Sequence, residues 1–220
     1  MQIILTPGLK KLYPESIFGS LIVKEVPNKK QHEALETRKR ELERRIREDS
    51  GEVKDFEMIH YYNSYFKMWK KTYTYPIEYQ INTIRKGRQL PQVSVLVDSM
   101  YIAELNNMLL TSGHDLDTIQ GDLAFDVARG NEQYLKINGK EQDLKKGDIF
   151  LKDDEGILAC ILFGPARRTS ISTKTKNAVY FAWCPQTINE AQVKTHLNEI
   201  LRNVEKVYPT VTSEVYITHP

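Results

Sequence analysis

The hydrophobic periodicity of this chain changes partway along, and that change is the strongest constraint on its fold. Between residues 28 and 109, apolar side chains recur mostly every three or four positions, which is the spacing of one helix face. From Asp122 onward they gather instead in short runs separated by turn residues, as in β-strands. A helical region followed by a strand-rich region predicts an α+β protein.

Five helices are predicted from the spacing of the apolar residues. The helix over residues 28–49 is strongly charged and has a thin apolar stripe, so we expect it on the surface, solvated rather than bound to RNA. Pro76 suits the first position of a helix, and Gly87 suits its end. In chain order the helices are 28–49, 56–71, 76–87, one after Asp98 that includes Leu105, Met108 and Leu109, and one through Val193, Leu197, Ile200, Leu201 and Val204.

Short apolar runs predict the strands. The Asn138-Gly139 pair has the chemistry of a tight hairpin turn, because both residues tolerate positive φ. A small α/β start is expected over residues 1–26. The candidate strands are 3–5, 17–23, 93–97, 123–127, 134–137, 149–152, 157–163, 178–184 and 211–217.

Composition excludes several classes of protein. The chain has 220 residues, of which 40% are hydrophobic, enough for one compact domain or two closely fused lobes. Cys160 and Cys184 lie in apolar runs without nearby Cys or His partners, so we expect reduced core residues and no metal site. No apolar stretch approaches the roughly 20 residues of a membrane span, and no segment resembles a secretion signal. The expected compartment is the cytoplasm, and no cofactor is expected, because the chain lacks a glycine-rich phosphate loop.

Charge is unevenly distributed along the chain. The formal net charge is only +2, but residues 58–97 and residues 156–189 are both positive, and the stretch between them is acidic. Such asymmetry is expected of a polar face that meets phosphates.

The segment 164–177 is the best candidate for a binding site, because it combines positive charge with five hydroxyl side chains on a predicted loop. Charge can hold phosphate, and hydroxyls can orient a ligand. The alternative is a solvated loop whose Ser and Thr side chains cap neighbouring turns. The residues we single out here are Arg167, Arg168, Thr169, Thr173 and Lys174.

Three further residues are candidates, each with a structural alternative. Asp98 is expected to cap the helix that it opens, or to hold a ligand's amino group. His114 could act as a general base, although a surface histidine without function fits the same pattern. Glu132 could contact a ligand or pair with a strand neighbour.

Four segments together resemble a known family. Residues 90–98, 115–122, 129–132 and 168–178 are similar, in order and spacing, to the stand-alone B3/B4 proteins, relatives of the tRNA-binding and editing domain of the phenylalanyl-tRNA synthetase β subunit. The resemblance implies a three-layer α+β fold with a central β-sandwich of unusual topology and flanking helices. We expect an N-terminal α/β extension over residues 1–55, packed on a B3/B4-like domain over residues 56–220.

The same resemblance implies an activity, and the chain departs from it. In the synthetase this domain hydrolyses tRNA that carries the wrong amino acid, chiefly tyrosine, through a histidine and a glutamate. The histidine corresponds to Ser112 here, two residues from His114, and the glutamate loop corresponds to residues 163–165, which contain no carboxylate. Stand-alone members also have Asn where this chain has Ser94 and Tyr101, and Asp in place of Pro165.

Three functions therefore stay open at the level of sequence. The first is a protein that binds tRNA or aminoacyl-tRNA and hydrolyses mischarged tRNA, with His114 and Thr169 as candidate catalytic residues. The second is a non-catalytic module that binds RNA or an amino-acid-like ligand through the same loop. The third is a protein-interaction scaffold that uses the charged helix over 28–49.

Overall fold

The computed structural model describes residues 2–51, 57–69 and 75–220. Phe56, Lys70 and Lys71, which belong to the second predicted helix, lie outside these residues. The described chain has six α-helices: α1 (Pro7–Leu12), α2 (Glu33–Glu48), α3 (Glu57–Lys67), α4 (Pro76–Arg85), α5 (Val95–Asn107) and α6 (Glu190–Glu205). The strands are β1 (Ile3–Leu5), β2 (Ile17–Lys24), β3 (Thr111–Asp115), β4 (Leu123–Val127), β5 (Gln133–Leu135), β6 (Glu141–Asp143), β7 (Ile149–Lys152), β8 (Ile157–Cys160), β9 (Gly164–Pro165), β10 (Ala178–Cys184) and β11 (Thr212–Thr218).

The strands form two main sheets and one hairpin. The first sheet has the order β1-β4-β7-β8-β9, in which only β1 and β4 are parallel. The second sheet is antiparallel, with the order β11-β2-β10-β3. Strands β5 and β6 pair around the predicted turn, where Gly139 has a φ of +79°. The prediction of a hairpin turn at this position is confirmed.

The two sheets pack face to face through aromatic side chains. The ring of Phe125 on β4 stacks on Phe18 of β2 at 4.0 Å, and it meets Trp183 of β10 edge-on at 5.2 Å. Helices lie on the other face of the second sheet, where a Cβ atom at Gly19 would come within 2.6 Å of Val193 on α6. Glycine is therefore required at this close approach. The result is a layer of helices over two sheets, and the predicted α+β class is confirmed.

Helix α2 lies against α5 through charged residues as well as leucines. Lys39 is fully buried, and its ammonium donates to Asp98 Oδ2 at 2.8 Å and to the Pro91 carbonyl at 3.0 Å. Glu43 is also buried and accepts hydrogen bonds from Arg40 and from the Leu90 amide. The prediction of a solvated helix was wrong for the face of α2 that carries Lys39 and Glu43, because the charge of each residue has its partner inside the protein.

Helix α5 begins where a strand was predicted. Ser94 is the N-cap, and its hydroxyl accepts a hydrogen bond from the Val97 amide at 3.4 Å. The helix is apolar on nearly all sides because it is buried between α2, α6 and the sheet, so the apolar run over 93–97 does not distinguish helix from strand. Asp98 is therefore not the N-cap, and its carboxylate points into the protein toward Lys39.

The first part of the chain contributes to both main sheets. Strand β1 pairs with β4, and β2 lies between β10 and β11. The predicted domain boundary at residue 55 falls outside the described residues. Among the residues that the structure describes, no helix combines the length and the apolar character needed to cross a membrane.

Candidate functional site

A cavity of about 540 Å³ opens where α4, α5, β3 and the β8–β9 segment meet. Its walls are mainly apolar and include Val97 and Met100 of α5, Ile161, Phe163 and Trp183. This size lies within the range of small-ligand sites, roughly 300–1,000 Å³. The few polar groups in the walls therefore determine what the cavity can hold.

Glu104 is the one charged side chain among the described residues that line the cavity. It lies on the last turns of α5 and is 4% exposed. One carboxylate oxygen accepts a hydrogen bond from the Thr111 amide at 2.8 Å. Burial raises the pKa of Glu104 to about 8, although the Thr111 hydrogen bond acts in the opposite direction. The carboxyl group is thus mainly protonated at pH 7, and a nearby positive charge would favour its ionised form.

Gln80 is a second polar residue of the cavity wall, on the neighbouring helix α4. Its amide oxygen is buried and has no hydrogen-bond donor among the described residues. A buried acceptor without a donor is costly, and it is a place where a bound ligand can supply the missing hydrogen bond.

Ser112 brings a hydroxyl to the cavity from strand β3. Its Oγ accepts a hydrogen bond from Trp183 Nε1 at 3.0 Å, since an indole nitrogen can only donate. The same Oγ lies 2.9 Å from His114 Nε2, because residues two apart on a strand share a face of the sheet.

His114 lies behind Ser112 and is fully buried. Its Nδ1 lies 2.8 Å from the hydroxyl of Thr169, so these two candidate catalytic residues are in contact. The pKa of His114 is lowered to about 3, mainly by burial and also by the nearby Arg168, against a smaller opposing effect of Asp153. The interpretation of His114 as a surface histidine was wrong, and the imidazole is neutral at physiological pH.

Arg168 is held by the protein rather than offered to a ligand. Its guanidinium contacts Asp153 at 2.7 Å, Glu155 at 3.3 Å and the Thr118 carbonyl at 3.1 Å. Burial alone would raise the pKa of Asp153, but hydrogen bonds from the Gln120 amide and from Arg168 lower it. This arrangement fixes the loop that follows β9 and leaves little capacity to orient a substrate.

The other cations of the 164–177 loop are exposed. Arg167 and Lys174 form no ion pair with any residue that the structure describes, and Thr173 beside Lys174 is exposed too. The Arg167 amide donates to the Leu135 carbonyl of β5. Lys136 follows Leu135 in the chain, and its ammonium lies 5.7 Å from the centre of the Phe163 ring, which lines the cavity. Lys136 therefore places positive charge beside the cavity, and the Arg167 guanidinium lies next to the hairpin turn at Gly139.

The remaining predicted site residues lie elsewhere. Asp98 is buried with Lys39, so its carboxylate is not available to a ligand's amino group. Glu132 accepts hydrogen bonds from the amides of Arg129, Gly130 and Asn131. Burial would raise the pKa of Glu132, but these amides lower it. The Glu132 carboxylate thus stabilises the turn over residues 129–132, and these hydrogen bonds do not involve a neighbouring strand.

None of the eight predicted site residues lines the cavity within the described structure. They are Asp98, His114, Glu132, Arg167, Arg168, Thr169, Thr173 and Lys174. The wall residues that sequence reasoning missed are Glu104 and Gln80. The signal for Glu104 was present, because a lone carboxylate in the apolar stretch 100–105 is unusual for a buried helix.

The described residues contain no group of three His, Cys, Asp or Glu arranged to hold a metal, and both cysteines are free and buried.

Comparisons with known proteins agree with this fold. The model of the B3/4 domain family matches residues 60–206. The phenylalanine–tRNA ligase beta subunit of Mycoplasma pneumoniae is 26% identical over 94 residues, which are 43% of this chain and 12% of that protein. The corresponding subunit of Fusobacterium nucleatum subsp. nucleatum is 32% identical over 63 residues, 29% of this chain and 8% of that protein. The matches thus span about a tenth of these relatives.

One solved structure is similar along the whole chain. It is an N-terminal fragment of the phenylalanyl-tRNA synthetase beta subunit from Pyrococcus horikoshii, with a TM-score of 0.54 and 13% sequence identity. The alignment covers 100% of this chain and 54% of that fragment. At this identity the similarity is one of fold.

Proposed function

Because the chain belongs to the B3/4 domain family, we propose that it is a cytoplasmic tRNA-binding protein whose cavity receives the aminoacyl group of a charged tRNA. The observation that carries the proposal is that Ser112 and the segment 163–165 line one cavity. In the family resemblance, these two places correspond to the histidine and to the glutamate loop of the synthetase's editing site. The relatives found by comparison are tRNA ligase subunits, which supports a tRNA-related role.

The charges around the cavity suit this arrangement. The lining itself contains no lysine or arginine among the described residues, so phosphates would be held outside the cavity. Lys136 lies beside it and Arg167 lies at the adjacent hairpin turn, and in this proposal both would meet the backbone of an acceptor stem. The apolar interior would then receive the amino-acid side chain.

Hydrolysis of the aminoacyl ester is a second candidate function, favoured by the Ser112 hydroxyl in the cavity wall and its contact with His114. The hydroxyl can polarise a carbonyl or orient a water molecule. However, an imidazole with a pKa of about 3 accepts a proton poorly near pH 7. We therefore expect binding to be the main function and any hydrolysis to be slow.

The decisive test compares charged and uncharged tRNA. Purified protein is titrated with phenylalanine tRNA that is uncharged, charged with phenylalanine, or mischarged with tyrosine, and deacylation is followed in parallel. A charged form should bind more tightly than the uncharged form. Val93→Trp, a change at a partly exposed wall residue, should block the cavity and remove this preference, while Leu12→Trp at another exposed apolar position should keep it. Equal affinity for charged and uncharged tRNA in the unmodified protein would refute the proposal.

The cations are tested by salt dependence. Replacing one phosphate-contacting residue should reduce the slope of log affinity against log salt by about 0.7–0.9. Arg167→Gln should show this reduction, and Lys10→Gln on helix α1 should not. An unchanged slope in Arg167→Gln would remove this residue from the interface.

A further inference from the structure

The cavity wall holds one carboxyl group and no cationic side chain among the described residues. Glu104 uses one carboxylate oxygen for the Thr111 amide, and the other has no donor among the described residues. Gln80 adds a buried amide oxygen in the same condition. A ligand that satisfies both groups must carry several N–H donors, and a positively charged group suits the carboxylate best.

The same lining disfavours a negatively charged ligand. No described lining residue is a lysine or arginine, so a free carboxylate would lose its hydration without gaining a cation. Proximity to Glu104 would add repulsion. A ligand with an ammonium group should therefore enter only if its carboxyl group is masked as an ester or an amide.

The remaining wall selects an apolar body. Met100, Ile161, Leu162, Ile171 and Trp183 supply aliphatic and aromatic surface. Such walls bind an apolar side chain by removing it from water.

We propose that the cavity recognises an apolar amino-acid ester or amide through its free ammonium group, with Glu104 as the acceptor that determines specificity. This inference rests on the proposed function, which puts an aminoacyl ester in the cavity. It adds that the cavity recognises the free ammonium group of that ester. It assigns the site to aminoacyl groups with a free amine and excludes both N-acylated aminoacyl groups and free amino acids. Because the pKa of Glu104 is about 8, its carboxyl group is mainly protonated near pH 7 in the free protein, and an arriving ammonium would lower this pKa and displace the proton to solvent.

The test uses three small probes without tRNA: L-phenylalanine methyl ester, N-acetyl-L-phenylalanine methyl ester and L-phenylalanine. Calorimetric titration near pH 7 should show the first binding at least about tenfold more tightly than the other two, the difference expected for a buried charge-assisted hydrogen bond. Equal affinity for the first two probes, or no binding of the first, would overturn the inference.

Glu104→Gln is the informative variant, because it is isosteric and keeps an oxygen for the Thr111 amide. It replaces the free carboxylate oxygen with an N–H donor, so affinity for the amine ester should fall at least about tenfold, to the level of the acetylated ester. Glu78→Gln makes the same chemical change on helix α4, outside the cavity lining, and should bind like the unmodified protein. Unchanged affinity in a folded Glu104→Gln protein would contradict the proposal. Gln80→Met, which removes the second acceptor, gives an independent check and should also weaken the amine ester.

The probes and tRNA separate this inference from the proposed function. If tRNA binds with a preference for its charged form but the amine and acetylated esters bind equally, the tRNA proposal stands and the role of Glu104 fails. If the amine ester binds through Glu104 and tRNA does not bind, the inference about the cavity stands and the tRNA proposal fails.

Discussion

Two fully buried histidines tie the stability of the fold to pH. The hydroxyl of Thr111 lies 2.7 Å from His196 Nε2, and His114 lies between Ser112 and Thr169. Burial is the main cause that lowers the pKa of each from 6.5 to about 3. Both side chains are therefore neutral in the folded protein across the physiological range.

The sign of the resulting pH dependence follows from these pKa values. Unfolded histidines take up protons as pH falls through 6.5, while the folded ones stay neutral until about pH 3. Each stabilising contribution is thus complete above pH 6.5 and is lost as the pH falls below it. We expect the free energy of unfolding to drop by about 2 kcal/mol per histidine between pH 7.5 and pH 5, measured by urea denaturation.

Replacing one histidine should remove its share of this slope. His196→Gln should flatten the fall in stability below pH 6.5, whereas His219→Gln, at an exposed position near Glu190, should leave the slope unchanged. A His196→Gln protein with the same slope as the unmodified protein would contradict the assignment of this pH dependence to the buried ring.

At the scale of elements, the contact between α2 and α5 includes a buried ion pair. The Lys39 ammonium and the Asp98 carboxylate are 2.8 Å apart, and both side chains are almost completely buried. Lys39→Met leaves the buried Asp98 carboxylate without its cation and should lower the free energy of unfolding by about 3–5 kcal/mol, whereas Asp98→Asn should cost less, because Glu36 still contacts the Lys39 ammonium at 2.6 Å. Chemical denaturation of the single variants measures this loss.

The double variant and a surface pair complete that experiment. Lys39→Met combined with Asp98→Leu should recover much of the lost stability, since an apolar pair of similar size needs no charge compensation. The exposed Lys24 and Glu214 pair, 3.0 Å apart, should contribute much less, because solvent screens the two charges. Additive effects of the two buried substitutions would show that the ion pair does not couple the helices.

Elements with strong local signals could be predicted from the sequence. The strands β4, β7 and β10 have the predicted bounds, and α4 begins at Pro76 as expected. Strand β3 was missed because Thr-Ser-Gly-His-Asp has no apolar pattern, and its conformation depends on pairing with β10. The strand predicted over residues 93–97, where α5 begins, was wrong because a helix buried on all sides has the same apolar run as a buried strand.

The site was less predictable than the fold, for a related reason. The loop 164–177 carries conspicuous charge, yet Arg168 and Thr169 use their polar groups within the protein. Glu104 and Gln80 are far apart in sequence and meet the same cavity only through the packing of α4 beside α5. Local sequence patterns do not contain that information.

At the scale of the whole molecule, the position of β2 predicts that residues 57–220 need the N-terminal part of the chain in order to fold. This strand lies inside the second sheet, so residues 57–220 alone would leave β10 and β11 without the strand between them. We expect that fragment not to unfold cooperatively on heating, as followed by circular dichroism. Adding a peptide of residues 2–51 should restore a cooperative transition, because it supplies β1, β2 and α2. A fragment 57–220 with the same melting profile as the full chain would instead support a separate domain after residue 55.

The loop that follows β9 also covers an open edge. Strand β3 is the last strand of its sheet, and residues 169–170 lie against it through the hydrogen bond from the Asp115 amide to the Thr169 carbonyl and the bridge between His114 and Ser170. An uncovered strand edge is a template for pairing with another chain. We therefore expect the Arg168 ion pairs that hold this loop in place to protect the protein from aggregation as well, so loss of that anchorage should lower its solubility at high concentration.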